Sequence, residues 1–181
     1  MKTWIALLRG VNVGGSNTLP MRDLVATFER ARLRAVRTHI QSGNVVFQSS
    51  KAAARLLENQ IAGLISRRCG FEPGVIVLSA RDLSGAISAN PFAKAAVDNP
   101  KALHLCFLSK LPTKPDFDAL TRLKAGREDF LLRGKIFYLL TPDGFGNSRL
   151  AARLEHFLGV GATCRNWRTV NQLLKMSDEI V

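Results

Sequence analysis

The stretch that decides the fold reads Arg37-Thr38-His39-Ile40-Gln41-Ser42-Gly43-Asn44-Val45-Val46-Phe47. It predicts two β-strands, over residues 35–40 and 44–48. Only Gln41-Ser42-Gly43 separates the two strands, and so short a connection indicates an antiparallel hairpin. Residues 42–44 have two interpretations. They either have a chemical role or form only a hairpin turn, with asparagine and glycine at positions that turns prefer.

The segments around this hairpin extend it to a complete α+β unit. The continuous apolar run at residues 4–8 indicates a buried central strand, and apolar side chains at helical spacing indicate one helix before the hairpin and one after it. These side chains are Met21, Leu24, Val25 and Phe28 in the first helix, and Leu57, Ile61, Leu64 and Ile65 in the second. Residues 75–78 form a further buried strand. The order β-α-β-β-α-β is that of a ferredoxin-like unit.

The second half of the chain repeats this order in part. Strands are predicted over residues 103–108, 130–132 and 136–140, and a tight turn at Arg133-Gly134-Lys135 joins the last two. Helices are predicted over residues 117–123, around Leu150, Leu154 and Phe157 with Asn147 or Ser148 as the cap, and around Trp167, Val170 and Leu174. No matching closing strand is evident.

The predicted fold class is therefore α+β, with two ferredoxin-like subdomains that have antiparallel sheets. The N-terminal subdomain is predicted over residues 1–80, and the C-terminal subdomain, with its final helix, over residues 102–181. Residues 81–101 form the connector, which carries one short helix at 82–87. With 181 residues, of which 46% are hydrophobic, the chain can build such cores.

The chain carries a large excess of positive charge. Its 26 Lys and Arg residues against 14 Asp and Glu give 26 − 14 = +12. This bias favours a polyanionic partner, either nucleic acid or a phosphate-bearing small molecule, and the alternative is that the charge only keeps the protein in solution. No segment has the length of a membrane span or a signal peptide, so we expect no membrane partner. The oligomeric state is left open.

The cysteines predict a reduced protein. Cys69, Cys106 and Cys164 are odd in number and far apart, and no two of them have a motif spacing. We therefore expect three free thiols, with Cys106 packed in an apolar strand, and a cytoplasmic location.

The strand order brings two distant segments to one edge of the first sheet. In a ferredoxin-like unit the first and third strands pair antiparallel, so the end of the first strand, at Arg9, lies beside the start of the third, at Asn44. Loop amides and the N-terminus of the first helix can hold an anion there. The predicted ligand-binding residues at this edge are Arg9, Gly10, Asn12, Gly14, Gly15, Ser42, Gly43 and Asn44.

Two interpretations of the glycine loop stay open. Residues 10–15 fit the spacing G-x-x-x-x-G between a strand and a helix, but Ser16 and Asn17 follow where a phosphate-binding P-loop has Lys and then Ser or Thr. Hydrolysis by the P-loop mechanism is therefore not expected. Either the loop binds an anion, or its glycines only allow a tight turn.

Other catalytic arrangements have little support in the sequence. Ser42 as a nucleophile would need a base, and near His39 no carboxylate is evident to orient the imidazole. Alternation along the strand predicts that His104 faces solvent or is satisfied locally, and His156 lies on a helix beside Glu155. Three scattered histidines give no metal-ligand spacing, so we expect neither a metal nor a cofactor.

Several blocks of the sequence together form a recognisable pattern. They are Ile5-Ala6-Leu7-Leu8-Arg9-Gly10-Val11-Asn12-Val13-Gly14-Gly15, then Met21, the hairpin stretch Arg37 to Phe47, and Thr163-Cys164-Arg165-Asn166-Trp167-Arg168-Thr169-Val170. With these blocks the sequence resembles the domain-of-unknown-function 1697 family. The resemblance covers essentially the whole chain. It implies two ferredoxin-like halves and no established activity.

Two departures from the family pattern bear on chemistry. The family usually has Tyr where this chain has His39, and Thr or Ser where it has Cys164. A reaction common to the family should therefore need neither an imidazole nor a thiol at these positions. The matching blocks also lack Asp and Glu, which general acid–base catalysis and divalent-metal binding usually require.

The motifs therefore indicate a binding site built from amides, hydroxyls and arginines. The last block adds Arg165 and Arg168, while Asn166 is interpreted as a helix cap and Trp167 as a core anchor. Our leading hypothesis is a non-catalytic binding protein for a phosphate-bearing ligand, with nucleic acid as the simplest candidate. The alternatives are a metal-independent enzyme acting on a phosphorylated small molecule, and a protein-interaction module. Whether any reaction is catalysed stays open.

Overall fold

The structure is a computed structural model that describes residues 1–12 and 14–180. The chain divides into two compact units. The first unit comprises Met1–Gly85 and Gln172–Val181, and the second comprises Ala86–Asn171. Among the described residues, none of the helices has the length and apolar character needed to cross a membrane.

The first unit contains four strands. These strands are β1 (Lys2–Arg9), β2 (Arg34–His39), β3 (Asn44–Ser49) and β4 (Gly74–Ser79). Its helices are α1 (Met21–Arg30) and α2 (Ala54–Cys69), with α3 (Ala80–Ser88) leading into the second unit.

The second unit has the same arrangement of four strands. They are β5 (Leu103–Leu108), β6 (Asp129–Arg133), β7 (Ile136–Leu140) and β8 (Ala162–Asn166). The helices are α4 (Ala93–Asp98), α5 (Phe117–Leu123), α6 (Arg149–Leu158) and α7 (Trp167–Asp178), and the last of these ends in the first unit. The helix α4 lies in the connector, where the sequence pattern predicted only one helix.

The two sheets have matching topology. The strand order is β2-β3-β1-β4 in the first unit and β6-β7-β5-β8 in the second, and all neighbouring strands are antiparallel. This order is that of the ferredoxin-like unit, so the predicted α+β fold with two ferredoxin-like halves is confirmed.

The core of the first unit shows why its sequence folds in this way. Alternate residues of β1, among them Ala6 and Leu8, face α1 and α2 and are buried. Phe28 of α1 meets Phe47 of β3 edge to face, with ring centroids 5.3 Å apart. Aromatic pairs prefer this geometry, which fixes the helix over the centre of the sheet.

The closing strand of the second unit was missed by the sequence pattern. The strand β8 pairs antiparallel with β5 from Ala162 to Asn166. It is five residues long, only its first two residues are buried, and α7 begins at the next residue, Trp167. Such a strand shows neither a sustained apolar run nor a turn signal at its end, and these are the features by which strands are recognised in sequence.

The prediction of three free thiols is wrong. Cys106 of β5 and Cys164 of β8 form a disulfide across 58 residues of sequence, and Cys69 is the one free cysteine. The two bonded cysteines lie directly opposite each other in the strand register. Their pairing depends on the closing strand, so an odd count and wide spacing could not reveal it. The argument from thiols to a cytoplasmic location therefore no longer holds.

Candidate functional site

The ends of β1 and β3 meet at one edge of the first sheet. Leu7 is paired with Asn44, and the Leu8 amide donates to the Gly43 carbonyl at 2.8 Å. This places the loop that follows β1 beside the turn that precedes β3. We call this region the glycine-loop edge and define it as Arg9, the described loop residues 10–12 and 14–18, and the turn at residues 40–43.

Gly43 is required for the close approach of the two strands. Its φ is +68°, and a Cβ built on it would lie 2.6 Å from the Cβ of Leu8. The turn spans residues 40–43, one residue longer at its start than the sequence predicted, because β2 ends at His39. Ile40 has a φ of +50°, which is rare for a β-branched residue.

Asn12 fastens the glycine loop to the turn. Its side-chain amide donates to the carbonyls of Leu19 and Gln41, each at 2.9 Å, and its side-chain oxygen accepts from the Leu19 amide at 2.7 Å. Both amide hydrogens are therefore used within the protein. The Asn12 backbone also donates to Asn17, at 3.1 Å. Asn12 thus positions the loop.

Asn44 plays the corresponding role in the turn. It is fully buried, and its side-chain amide donates to the His39 carbonyl at 3.1 Å and to the Ser42 hydroxyl at 2.9 Å. Both bonds close the turn on itself. Like that of Asn12, this side chain holds the backbone in place and does not face outward.

The outward-facing part of the edge consists of Arg9 and the glycines. Arg9, Gly10, Gly14 and Gly15 are exposed. Gly14 and Gly15 have φ values of +59° and +76°, and a Cβ on either would meet no atom within 4 Å. The backbone there is open to a ligand, while the Asn17 side chain steadies the loop by donating to the Gly10 carbonyl at 2.8 Å. Val13, which belongs to the matching sequence block, lies outside the described residues.

The sequence analysis missed a further cation near this edge. Because β4 pairs antiparallel with β1, with Arg9 opposite Gly74, the end of α2 returns to the same edge. Arg68, in the last turn of α2, contacts the Asp23 carboxylate in the first turn of α1 at 3.4 Å. The signal that could have found it is the antiparallel β1–β4 pairing of the ferredoxin-like order, applied to the segment before β4.

The predicted residues Arg165 and Arg168 belong to the second unit. Arg165 lies on β8, where its guanidinium donates to the Thr163 hydroxyl at 2.8 Å and to the Cys164 carbonyl at 2.9 Å. Burial lowers the pKa of Arg165 to about 10. Arg168 is exposed on α7.

The interpretation of Asn166 as a helix cap is confirmed, because its side-chain oxygen accepts from the Thr169 amide at 2.9 Å. Ser148, one of the two caps predicted for α6, likewise accepts from the Ala151 amide at 3.0 Å.

His39 and His104 are both partly buried. Burial lowers the pKa of His39, which is partly covered at the end of β2. His104, which was predicted to face solvent or to be satisfied locally, is half-buried beside the Ala102 carbonyl. Its ring packs on Phe145 with centroids 4.4 Å apart, and its buried Nδ1 has no hydrogen-bond partner among the described residues. The turn at Phe145–Asn147 covers this side of β5, which alternation along the strand could not show.

No group of three or more His, Cys, Asp or Glu side chains comes together within residues 1–12 and 14–180 in a way that could hold a metal ion. The glycine-loop edge offers backbone amides and the Arg9 guanidinium, and Arg68 of α2 lies near it. These groups can bind an anion.

Comparisons with known proteins place the chain in a family. It belongs to the family described as protein of unknown function (DUF1697), whose model matches residues 1–138. A conserved bacterial protein, SP0830 from Streptococcus pneumoniae, has a similar structure with a TM-score of 0.72. The two sequences are 20% identical, and the alignment covers 97% of this chain and 98% of that one. No curated protein matches the chain.

Proposed function

We propose that this protein binds a phosphate-bearing ligand at the glycine-loop edge, without catalysing a reaction. The observation that carries the proposal is the exposed pair Gly14-Gly15, which lies in the same loop as Asn12 and follows Arg9 at the end of β1. Nucleic acid is the simplest ligand of this class for a chain with a net charge of +12.

Hydrogen bonds within the described part of the loop support binding. Asn12 bonds to Leu19 and Gln41, and Asn17 bonds to Gly10, so these residues lose less conformational entropy when a ligand binds. Exposed glycines let an anion approach the backbone closely, because no Cβ stands in the way.

The charges near the edge favour an anion. Arg9 lies at the end of β1, and Gly74 of the neighbouring strand leaves room beside its stem. Arg68 lies in the last turn of α2, where the Asp23 carboxylate partly neutralises its positive charge. The α1 N-terminus follows the loop, and no side chain caps it. Helix N-terminal amides favour negative charge.

A retention experiment tests the proposal. RNA and DNA oligonucleotides are bound to the unmutated protein and to Arg9→Ala at two salt concentrations. We expect affinity to fall steeply with salt, and Arg9→Ala to weaken binding by about 1–3 kcal/mol because a charge-assisted contact is lost. Thermal stability should change little, since Arg9 is exposed.

Arg127→Ala is the matched control. Arg127 is an exposed arginine in the second unit, and its removal costs the same charge. Equal loss of binding in Arg9→Ala and Arg127→Ala would show that net charge alone is responsible. Salt-insensitive binding by the unmutated protein, or none, would leave the loop as a structural turn only.

A further inference from the structure

The connection between α1 and β2 is built in an unusual way. The Leu33 amide donates to the Phe28 carbonyl at 3.1 Å, and the Arg32 amide donates to the Glu29 carbonyl at 2.9 Å. This pair of bonds is the Schellman motif, which places Arg32 in the left-handed conformation, with a φ of +60°. Glycine is the residue that this position favours.

The chain uses glycine at two comparable helix ends. Gly70 follows α2 with a φ of +74°, and Gly159 follows α6 with a φ of +65°. At the end of α1 an arginine adopts the same backbone conformation, which is less favourable for a residue with a Cβ than for glycine. A strained residue that the fold itself does not require points to a function for its side chain.

Arg32 belongs to a cluster of cations, which we call the arginine turn. Its members are Arg30, Arg32, Arg34 and Lys51. The three arginines are exposed, and their side chains make no hydrogen bond or ion pair with any described residue. Glu29, the penultimate residue of α1, adds one carboxylate in the sequence beside them.

A hydrogen-bonded chain ties Lys51 to this turn. The Lys51 ammonium donates to the Gln60 side-chain oxygen at 2.6 Å, and the Gln60 amide donates to the Ala31 carbonyl at 3.3 Å. Ala31 directly precedes Arg32. Two segments that are distant in sequence therefore bring their positive charges to one place.

The edge strand β2 adds a second irregularity. The register with β3 shifts between Arg34 and Arg37, and Ala35 within this bulge has a φ of +48°. Bulges twist an edge strand and re-aim its side chains. Arg34 lies opposite Gln48, near the end of β3, whereas the glycine-loop edge lies at the start of β3. The two surfaces are thus at opposite ends of one sheet.

We infer that the arginine turn is a contact surface for the sugar-phosphate backbone of a double-helical nucleic acid. Exposed arginines and a lysine suit successive phosphates. Phe28 of α1 and Phe47 of β3 are fully buried, so neither ring can stack on the bases of a single strand. The inference shares its partner class with the proposed function but uses different residues.

The Arg32→Gly variant tests this inference, because function and stability should move in opposite directions. Relief of the left-handed strain should raise Tm by about 2–4 °C. Affinity for a 20-base-pair RNA or DNA duplex should fall about 3- to 10-fold in low salt. The slope of log affinity against log salt should become less steep by about one, which corresponds to the loss of one phosphate contact.

Two controls isolate the arginine side chain. Ala35→Gly relieves a similar backbone strain without a change of charge, so it should raise Tm and leave duplex affinity unchanged. Arg127→Ala removes one exposed charge from the second unit and should reduce affinity by less than Arg32→Gly. Comparing RNA with DNA duplexes shows which backbone is preferred.

The inference is overturned if Arg32→Gly retains full duplex affinity, or if it loses no more than Arg127→Ala. Tighter binding of a single strand than of a duplex would also overturn it. Arg9→Ala separates the two proposals. Loss of binding in Arg9→Ala with none in Arg32→Gly supports only the glycine-loop edge, and the reverse result supports only the arginine turn.

Discussion

The side-chain amide of Asn12 donates to the Gln41 carbonyl at 2.9 Å, which joins two segments 29 residues apart in sequence. The same side chain also holds Leu19 through two hydrogen bonds. Asn12 therefore connects both sides of the glycine-loop edge, and the positions of the loop and the turn depend on it.

Replacement of Asn12 by alanine should therefore destabilise the first unit. Three polar groups lose their partner, and we expect a loss of about 1–3 kcal/mol in the free energy of unfolding, with an added cost from the φ of +55°. Urea denaturation measures the effect. Asn12→Gly relieves the backbone strain, so it should be less damaging, and equal stability of Asn12→Ala and the unmutated protein would contradict this account.

Gly43→Ala should be the most damaging glycine substitution at this edge. A methyl group there would lie 2.6 Å from the Leu8 Cβ, in a turn with positive φ, so we expect a loss of about 2–4 kcal/mol. Gly14→Ala is the matched control, because it has a similar φ but no atom within 4 Å. It should cost only about 1 kcal/mol. Thermal unfolding of both variants checks the difference, and similar losses would argue against a close approach.

Most of the fold could be predicted from the sequence because it depends on local patterns. The apolar run of β1, the helical spacing in α1 and the hairpin each produce a signal within about ten residues. The strand β8 produced none, since it is short, half-exposed and continuous with α7. The disulfide was not predicted either, because only the β5–β8 pairing brings Cys106 and Cys164 together.

The site was harder to predict than the fold. Topology alone was enough to bring Arg9 and Asn44 to one edge. The sequence could not show that the side chains of Asn12 and Asn44 donate to carbonyls of the protein itself, because this depends on which backbone carbonyls lie within hydrogen-bond distance. The strain at Arg32 was equally hidden, since a φ angle is set by the turn that closes around it.

The environment of His104 predicts acid sensitivity. Burial lowers the pKa of His104 to about 4 from an ordinary value of 6.5, while the nearby Ala102 carbonyl acts in the opposite sense. Above pH 6.5 the imidazole is neutral in both folded and unfolded chains. As pH falls from 6.5 towards 4, the unfolded chain binds a proton that the folded chain does not, so the free energy of unfolding decreases.

His104→Phe keeps a ring against Phe145 and removes the titration, so it isolates this effect. We expect the urea midpoint of the unmutated protein to fall more between pH 7.5 and pH 5 than that of the variant. The His39 contribution is common to both proteins and cancels in the comparison. Parallel pH profiles would contradict the buried position of the imidazole.

The Cys106–Cys164 bond predicts a protein whose stability depends on redox conditions. The bond closes a loop across 58 residues, and chain entropy alone gives it a stabilising effect of roughly 4 kcal/mol. Unfolding in urea with and without a reductant should therefore differ by several kcal/mol. Thiol titration of the unfolded, unreduced protein should find one thiol, that of Cys69, and three after reduction.

The double variant Cys106→Ser, Cys164→Ser should have low stability that reductant does not change, whereas Cys69→Ser should respond like the unmutated protein. Three thiols before reduction would show that the two strands pair without the bond.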